Sequence, residues 1–273
     1  MGLILMQTKT AALLACLAMI LTGCQATPGT QTVTFPHGTL VDMSYAFNAD
    51  TVYWPTAAGF KKTTDFEGTT EAGYYYSAYS VSTAEHGGTH LDAPIHFSEG
   101  QNTNDEIPLE RLLGPAIVID VSEQSTANRD YLISMDDIAN WEAEYGEIPG
   151  GSIVLFRTGF GQYWPDREAY MGTAETGAQA VSKLHFPGIH PEAALFLATE
   201  RSIKSVGIDT PSIDYGQSSL FEAHRYLFGA NIPAFENVAN LHRLPITGAI
   251  VIALPMKIEG GSGGPLRMIA IVP

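Results

Sequence analysis

One segment, residues 86–96, limits the folds open to this chain more than any other. It reads His-Gly-Gly-Thr-His-Leu-Asp-Ala-Pro-Ile-His and holds three of the eight histidines, where composition alone would supply about a third of one. Two glycines and a proline oppose a helix here, so we predict an extended segment. Alternate side chains of an extended chain face the same way. This prediction puts four polar side chains on one face: His86, His90, Asp92 and His96.

The other positions of this segment complete the prediction. We expect Leu91 and Ile95 to point into a core and Gly88 to leave room for an ion. Imidazole and carboxylate groups are suitable ligands for zinc or manganese. Four such groups buried without a cation would leave several of them without partners. The pattern therefore favours a metal site over a polar core in which the histidines only form hydrogen bonds.

Strand-like runs alternate with two helical patterns along the rest of the chain, and we find no internal repeat. Short runs rich in β-branched or aromatic residues predict strands, and a proline just after a capping residue predicts the start of a helix. The alternation predicts a single mixed α/β domain. We expect the glycine-rich residues 260–264 to form a tight loop between two strands. The predicted strands are 74–81, 116–121, 153–157, 205–208 and 249–254, and the predicted helices are 134–145 and 191–200.

The N-terminal residues are predicted to form a targeting signal rather than part of the folded domain. Lys9 precedes an apolar run over residues 11–21, which fits the core of a signal peptide but is short for a membrane span. The run ends in Leu-Thr-Gly-Cys, which resembles the lipobox of bacterial lipoproteins, so Cys24 is the predicted lipidation site. An ordinary cleaved signal is the alternative. We expect a lipoprotein signal peptide over 1–23, a flexible tether over 24–38 and the domain over 39–273.

Charge and cysteine content limit the partners and the chemistry. The net charge of −15 repels nucleic acid and anionic headgroups, so we expect no nucleic-acid partner and membrane contact through the lipid only. Gln25 after the cysteine favours the outer membrane in lipoproteins. We therefore expect a lipid-anchored protein of the bacterial cell envelope that faces the periplasm. The other cysteine, Cys16, lies in the predicted signal, which excludes disulfides and thiolate ligands from the domain.

The pattern His-x-Gly-Thr-His-x-Asp-x-Pro-x-His resembles the signature of the metal-dependent cyclase family, which includes bacterial kynurenine formamidases and isatin hydrolases. Residues 86–96 match each of its fixed positions. The resemblance implies that residues 39–273 form a mixed α/β hydrolase domain of the swivelling β/β/α type, which commonly assembles as a homodimer or homotetramer. It continues through four later segments, 154–159, 206–212, 231–241 and 254–260.

The resemblance also implies a ligand set for one or two divalent ions, zinc or manganese. His86, His90 and Asp92 would bind the first ion. Asp92 and Glu236 would bridge to a second ion, which His224 would complete. The assignment of His224 and Glu236 rests on the resemblance alone, because an isolated histidine and glutamate are unremarkable in a sequence.

Four more residues are candidates for the site. By the resemblance, His96 would transfer protons and Trp54 would contact the substrate, although Trp54 also fits an ordinary packed aromatic residue. Asp209 is expected either to orient a ligand or to cap the turn that begins at Thr210. His190 opens a helix, and we treat it as a weaker candidate for a side chain that faces the cleft.

The implied activity is metal-dependent hydrolysis of a small aromatic amide, in which His96 protonates the departing nitrogen. An aryl formamide of the N-formylkynurenine type and a cyclic aryl amide fit this chemistry equally well. Residues 213–218 and 236–240 resemble isatin hydrolases more than typical formamidases, and an exported lipoprotein fits a cytoplasmic step of tryptophan degradation poorly. A non-catalytic envelope lipoprotein that binds a metal or a solute is the alternative from another class, but such a site needs no proton carrier.

Overall fold

The computed structural model describes residues 37–273. The predicted signal peptide, Cys24 and most of the predicted tether lie outside the described residues. Within residues 37–273, no helix combines the length and apolar character needed to cross a membrane. The strands are β1 Thr39–Asp42, β2 Lys61–Thr69, β3 Tyr75–Ser82, β4 His90–Asp92, β5 Leu113–Asp120, β6 Leu132–Ile133, β7 Ile153–Arg157, β8 Gly188–Ile189, β9 Ser205–Ile208, β10 Ala234–Glu236, β11 Ala249–Pro255 and β12 Gly263–Val272. The α-helices are α1 Leu109–Leu112, α2 Ser122–Ala127, α3 Met135–Tyr145, α4 Arg167–Met171, α5 Pro191–Thr199 and α6 Glu222–Gly229.

Eight strands form one sheet in the order β1-β12-β11-β5-β7-β9-β10-β4. The short strand β4 also pairs with β12, so the sheet closes on itself like a barrel. The strands β5, β7, β9 and β10 run parallel to one another, whereas β4, β11 and β12 join the sheet antiparallel. The predicted single mixed α/β domain is confirmed.

The central strands are apolar on both faces because each face meets a different core. In β5, Ile117 and Ile119 pack toward helices α3, α5 and α6, whereas Ala116 and Val118 face the interior of the closed sheet. This alternation follows from the two-residue period of a strand. A strand buried on both faces reads as a continuous β-branched run, which is why such segments were recognisable in the sequence.

The two predicted helices are confirmed within one or two residues. Ser134 caps α3 by accepting a hydrogen bond from the Asp137 backbone nitrogen, and the Asp137 side chain accepts one from the Ser134 backbone. Pro191 opens α5, as its fixed φ angle favours. The predicted strand 74–81 corresponds to β3, which forms an exposed two-stranded hairpin with β2.

The prediction of one extended run over residues 86–96 was wrong. Within it only His90–Asp92 form a strand; Gly88 adopts a left-handed conformation with φ 58°, and residues Pro94–His96 form a turn of 3₁₀-helix. A side chain on Gly88 would meet the ring of Phe47 at 2.7 Å, so this glycine permits close packing and does not make room for an ion. The placement of Leu91 and Ile95 in the core is confirmed.

The glycine-rich segment also departs from the prediction. Residues 256–262 form the loop between β11 and β12, but Gly263 and Gly264 are the first residues of β12 and pair with β4. A Cβ atom on Gly263 would lie 2.5 Å from the Leu91 carbonyl oxygen. Glycine is therefore required here because two strands approach closely where the sheet closes.

Candidate active site

The site lies along β4, which pairs with both β10 and β12. His90 and Asp92 lie two residues apart on β4 and share a face, while Leu91 between them is fully buried on the other side. Strand β10 pairs antiparallel with β4, and this register sets Glu236 opposite His90. His224 comes from helix α6, which follows a long connection from β9.

The structure brings the candidate metal ligands together in two overlapping sets. His86, His90 and Asp92 have ligand atoms within 4.8 Å of one another, and so do Asp92, His224 and Glu236. Asp92 belongs to both sets. All five side chains line one cavity, and only His86 is partly exposed.

Each of the three imidazoles has one nitrogen turned outward to a fixed partner. His90 Nδ1 lies 2.9 Å from the Gly88 carbonyl oxygen, and His224 Nδ1 lies 2.5 Å from Asp214. Carbonyl and carboxylate oxygens only accept, so both nitrogens must donate. In the neutral form of these two rings, the form that binds a metal, the Nε2 atoms carry the lone pairs and face the carboxylates of Asp92 and Glu236.

The inward atoms fit a cation. His90 Nε2 is buried without a hydrogen-bond partner, yet it lies 3.0 Å from Asp92 Oδ1 and 3.5 Å from Glu236 Oε2. Two carboxylates and several imidazole lone pairs that converge in a buried space are costly unless a positive charge compensates them. Nitrogen and oxygen donors without thiolate suit a divalent metal such as zinc or manganese.

The two buried carboxylates respond to each other and to the histidines. Burial pushes the pKa of Asp92 upward, but the charges of His86 and His90, together with hydrogen bonds from His224 and His86, hold it well below its ordinary value. Burial raises the pKa of Glu236, and the charge of Asp92 raises it further. Burial and the charge of Asp92 thus disfavour the ionised form of Glu236, and a bound cation would offset this penalty.

His96 lies beside the ligands on the 3₁₀ turn that Pro94 begins. Its ring stacks on that of His86, with centroids 3.9 Å apart. Burial lowers the pKa of His96 to about 4, and the adjacent charge of Asp92 opposes this only partly. His96 is therefore a neutral imidazole at pH 7, which can accept a proton and then pass it on.

The site opens into a cavity of about 290 Å³ with aromatic walls. Trp54 packs edge-on against Phe186 and Phe221, with ring centroids 6.5 Å apart in both cases. Phe221 also contacts Phe97 at 5.1 Å. No lysine or arginine lines the cavity among the described residues, so its walls favour a flat, uncharged group over an anionic one. The apolar lining comprises Val52, Tyr53, Trp54, Ala57, Phe97, Pro211 and Phe221.

Asp209 and His190 do not line this cavity. The Asp209 carboxylate accepts hydrogen bonds from the backbone and hydroxyl of Thr158 and from the backbone of Gly159. The expectation that Asp209 caps the turn at Thr210 was therefore wrong. The His190 side chain accepts from the Glu192 backbone nitrogen and caps α5, so it does not face the cleft.

Sequence reasoning missed several residues that hold the site in place. Asp214 accepts from His224 and from the backbone at the start of α6, but its spacing from His224 carries no motif. Asn237 donates to the Gly88 carbonyl oxygen and accepts from the Tyr170 hydroxyl. These contacts join segments that are far apart in the sequence, so no local sequence pattern predicts them.

Comparisons with known proteins agree with this geometry. Residues 41–215 match the family model described as "Putative cyclase". The chain belongs to this family. It is 38% identical to the isatin hydrolase of Roseibium aggregatum over 197 residues, which cover 69% of this chain and 72% of that protein. It is 30% identical to the kynurenine formamidase of Salinibacter ruber over 237 residues, which cover 84% of this chain and 96% of that protein.

A solved structure supports the fold assignment over nearly the whole described domain. Isatin hydrolase A from Labrenzia aggregata, bound to benzyl benzoate, superposes with a TM-score of 0.77 at 34% identity. The match covers 86% of this chain and 93% of that chain. The resemblance stated from the sequence is thereby confirmed.

Proposed function

We propose that this protein is a metal-dependent hydrolase of small aromatic amides. It acts on carbon–nitrogen bonds other than peptide bonds, the class of reaction that its isatin hydrolase and kynurenine formamidase relatives catalyse. One observation carries the proposal: three imidazoles and two buried carboxylates converge at an aromatic-walled cavity beside the imidazole of His96. The non-catalytic alternative gains no support from relatives that are named as enzymes.

The residues that would hold the metal are His86, His90 and Asp92 for one ion and Asp92, His224 and Glu236 for a second. A divalent ion such as zinc or manganese supplies activated water and polarises a carbonyl group when it is bound. The two sets share Asp92, so this side chain is suited to contact both ions if two are present. The Asp92 side chain is itself buried, with 2% of its surface exposed.

His96 is the proposed proton carrier. A neutral imidazole accepts the proton released when water adds to the amide carbonyl carbon. The same ring then delivers that proton to the amide nitrogen, which leaves as an amine because an amide anion is a poor leaving group. The His96 ring stacks on His86 and so lies next to the metal ligands. His96 therefore need not bind the metal itself.

The substrate that the cavity favours is a cyclic aryl amide of the isatin type. Trp54, Phe97 and Phe221 offer flat apolar surfaces for a fused ring, and the described residues of the lining include no lysine or arginine that would pair with an amino-acid carboxylate. An aryl formamide of the N-formylkynurenine type is the second candidate. The alignment with a kynurenine formamidase favours it, because that match covers 96% of the relative.

A substrate screen tests the proposal. Purified residues 25–273 are stripped of metal, reloaded with Zn²⁺ or Mn²⁺, and assayed by absorbance with isatin and with N-formylkynurenine. We expect metal-dependent hydrolysis, with the higher kcat/KM for isatin. A higher kcat/KM for N-formylkynurenine would select the second candidate, and no hydrolysis of either would contradict the aromatic amide proposal.

The exposed hairpin of β2 and β3 supports self-association as a homodimer or a homotetramer. A two-stranded ribbon alone is only marginally stable, and this one exposes Phe66, Tyr75 and Tyr76 to solvent. The charged side chains of β2 balance, with two lysines and two acidic residues, so this strand adds no net charge that would repel a second copy. Sedimentation of wild type and Tyr75→Ser tests this: we expect the variant to shift toward monomer, and unchanged assembly would contradict the hairpin interface.

The proposed location is the bacterial cell envelope, with a lipid anchor at Cys24 in the outer membrane and the domain in the periplasm. The lipobox-like sequence supports this proposal, and the net charge of −15 leaves the lipid as the means of membrane contact. Nucleic acid is excluded as a partner by the same charge argument.

A further inference from the structure

The loop between β11 and β12 closes over the residue pair Glu85 and His86. One glycine in this loop and one at the start of β12 make the approach possible: a Cβ on Gly261 would lie 3.1 Å from the Glu85 carboxylate, and one on Gly263 would lie 2.7 Å from the His86 ring. Ser262 stands between these glycines, and its side chain is only partly exposed. The loop therefore places one hydroxyl group, that of Ser262, at the outer edge of the His86 ring.

The direction of the hydrogen bonds at this hydroxyl follows from the chemistry of its partners. Ser262 bonds Glu85 Oε2 through its backbone nitrogen at 2.9 Å and through its hydroxyl at 2.7 Å. A carboxylate oxygen only accepts, so the single hydroxyl proton points to Glu85. The remaining contact of the hydroxyl oxygen, 2.9 Å from His86 Nε2, must then be one in which His86 donates.

A proton on Nε2 determines how the opposite edge of the His86 ring, at Nδ1, meets Asp92. When the neutral ring carries its single proton on Nε2, the Nδ1 atom of His86 turns a lone pair toward Asp92 Oδ1, only 2.7 Å away. Two acceptors at this distance repel each other unless a proton or a metal ion lies between or beside them. Two ligand atoms that share one ion meet this requirement.

We propose that Glu85 and Ser262 are positioning residues that fix His86 as its Nε2–H tautomer, so that His86 holds the metal through Nδ1. This inference rests on the metal site of the proposed function. It sets His86 apart from His90 and His224, whose Nδ1 atoms are already bonded to Gly88 and Asp214. The ligand set is then mixed, with one histidine that binds through Nδ1 and two that bind through Nε2.

The first test reads the tautomers directly. Two-bond ¹⁵N–¹H correlation spectra of the Zn²⁺-loaded protein report which nitrogen of each histidine carries the proton. We expect Nε2–H for His86 and Nδ1–H for His90 and His224, which serve as internal controls. An Nδ1–H tautomer at His86 would overturn the proposal.

The second test measures metal affinity by competition with a chromophoric chelator. Ser262→Ala removes the acceptor for His86, and loss of such an outer partner typically weakens metal binding by about 10- to 100-fold. Glu85→Gln keeps the size of the side chain, but its amide can donate to the hydroxyl as well as accept from it. We expect a smaller loss of affinity and a weaker tautomer preference in this variant.

A matched pair of controls exists on the exposed hairpin. The Ser80 hydroxyl donates to Asp65 at 2.7 Å, the same chemistry between two residues that do not line the cavity. Ser80→Ala and Asp65→Asn should leave metal affinity unchanged. Unchanged affinity in both Ser262→Ala and Glu85→Gln would overturn the proposal, and Glu85→Gln decides alone if Ser262→Ala does not fold.

Failure of the metal site itself would look different. Wild-type protein that binds neither Zn²⁺ nor Mn²⁺ would contradict the proposed function. The spectra of that metal-free protein would still report whether His86 carries its proton on Nε2, as the contacts to Ser262 and Glu85 require. If the protein binds metal normally but His86 is not held as its Nε2–H tautomer, only the positioning role of Glu85 and Ser262 would be contradicted.

Discussion

The imidazole rings of His86 and His96 lie face to face, with centroids 3.9 Å apart and planes inclined by 19°. His86 faces Asp92 through Nδ1 and belongs to the candidate ligand set. The pKa of His96 is lowered to about 4 by burial, so its ring is neutral at pH 7. The stacked pair thus joins a candidate ligand to a candidate proton carrier.

Removal of the His96 imidazole should separate these two roles. We expect His96→Ala to keep its metal and its substrate affinity while turnover falls by about a hundred- to ten-thousand-fold, the usual contribution of a general acid–base group. Metal analysis and steady-state kinetics on the same preparation measure both. His242→Ala, at an exposed histidine, is the control.

Two outcomes would contradict this role for His96. Loss of the ion in His96→Ala would make His96 a metal ligand. Turnover equal to that of wild type would require another proton carrier, and His190 is a poor substitute because its side chain caps α5.

Truncation of Trp54 should weaken substrate binding without affecting the metal. Its ring forms part of the aromatic wall with Phe221 and packs on the buried Phe186, and such contacts contribute about 0.5–1.5 kcal/mol beyond the area buried. We expect KM for an aromatic amide to rise by roughly tenfold in Trp54→Ala, with a smaller rise in Trp54→Phe. A fall in kcat at constant KM would show instead that Trp54 acts on the chemical step.

The sequence was most informative where structure depends on local signals. Helix α3 was predictable because Ser134 and the capping box define its start, and β7 was predictable because Ile153–Arg157 is a continuous apolar run that ends at a charged residue. The ligands His90 and Asp92 also share a face, because the two-residue period holds within β4.

Such local signals could not predict contacts between segments that are far apart in the sequence. The convergence of Glu236 with His90 depends on strand pairing across the closed sheet, and that of Ser262 with His86 spans 176 residues. His224 and Glu236 were named only through family resemblance. The run over 86–96 failed as a strand because its two glycines and its proline each end regular structure locally.

The envelope location predicts a change on loss of the lipidation site. Cys24→Ser should leave the protein without lipid and release it from membranes, because the net charge of −15 offers no attraction to anionic headgroups. Fractionation followed by immunoblotting measures this. Cys16→Ser, inside the predicted signal, is the matched control and should remain with the membrane. Membrane association of Cys24→Ser equal to wild type would remove the lipobox argument.

One ion pair outside the site gives a pH dependence of stability. Arg201 bonds both oxygens of Glu142, at 2.8 and 2.9 Å, and these hydrogen bonds lower the pKa of Glu142 from its ordinary value of 4.5. Since the folded-state pKa is lowered, the stabilisation is present above the ordinary pKa and is lost as the pH falls through the lowered value. Glu142→Gln should therefore be less stable than wild type at pH 7, by under about 1 kcal/mol for a partly exposed pair.

Urea denaturation at pH 7 and at pH 3 checks the sign of this effect. The difference between Glu142→Gln and wild type should shrink at the lower pH. Glu123→Gln, at an exposed carboxyl on α2, is the control and should match wild type at both values. A difference that grows as the pH falls would contradict the assigned direction of the pKa shift.

The central claim is that Asp92 and its neighbours hold a divalent ion on which hydrolysis depends. The most direct measurement is the metal content, by mass spectrometry, of wild type and Asp92→Asn together with their hydrolysis of isatin before and after metal is restored. Asp92 belongs to both ligand sets, so its loss should empty the site, while the amide of similar size preserves the fold. The account predicts wild-type activity that tracks bound metal, and an Asp92→Asn variant with neither metal nor turnover. Full metal occupancy in Asp92→Asn, or metal-free wild type that hydrolyses isatin at its full rate, would contradict it.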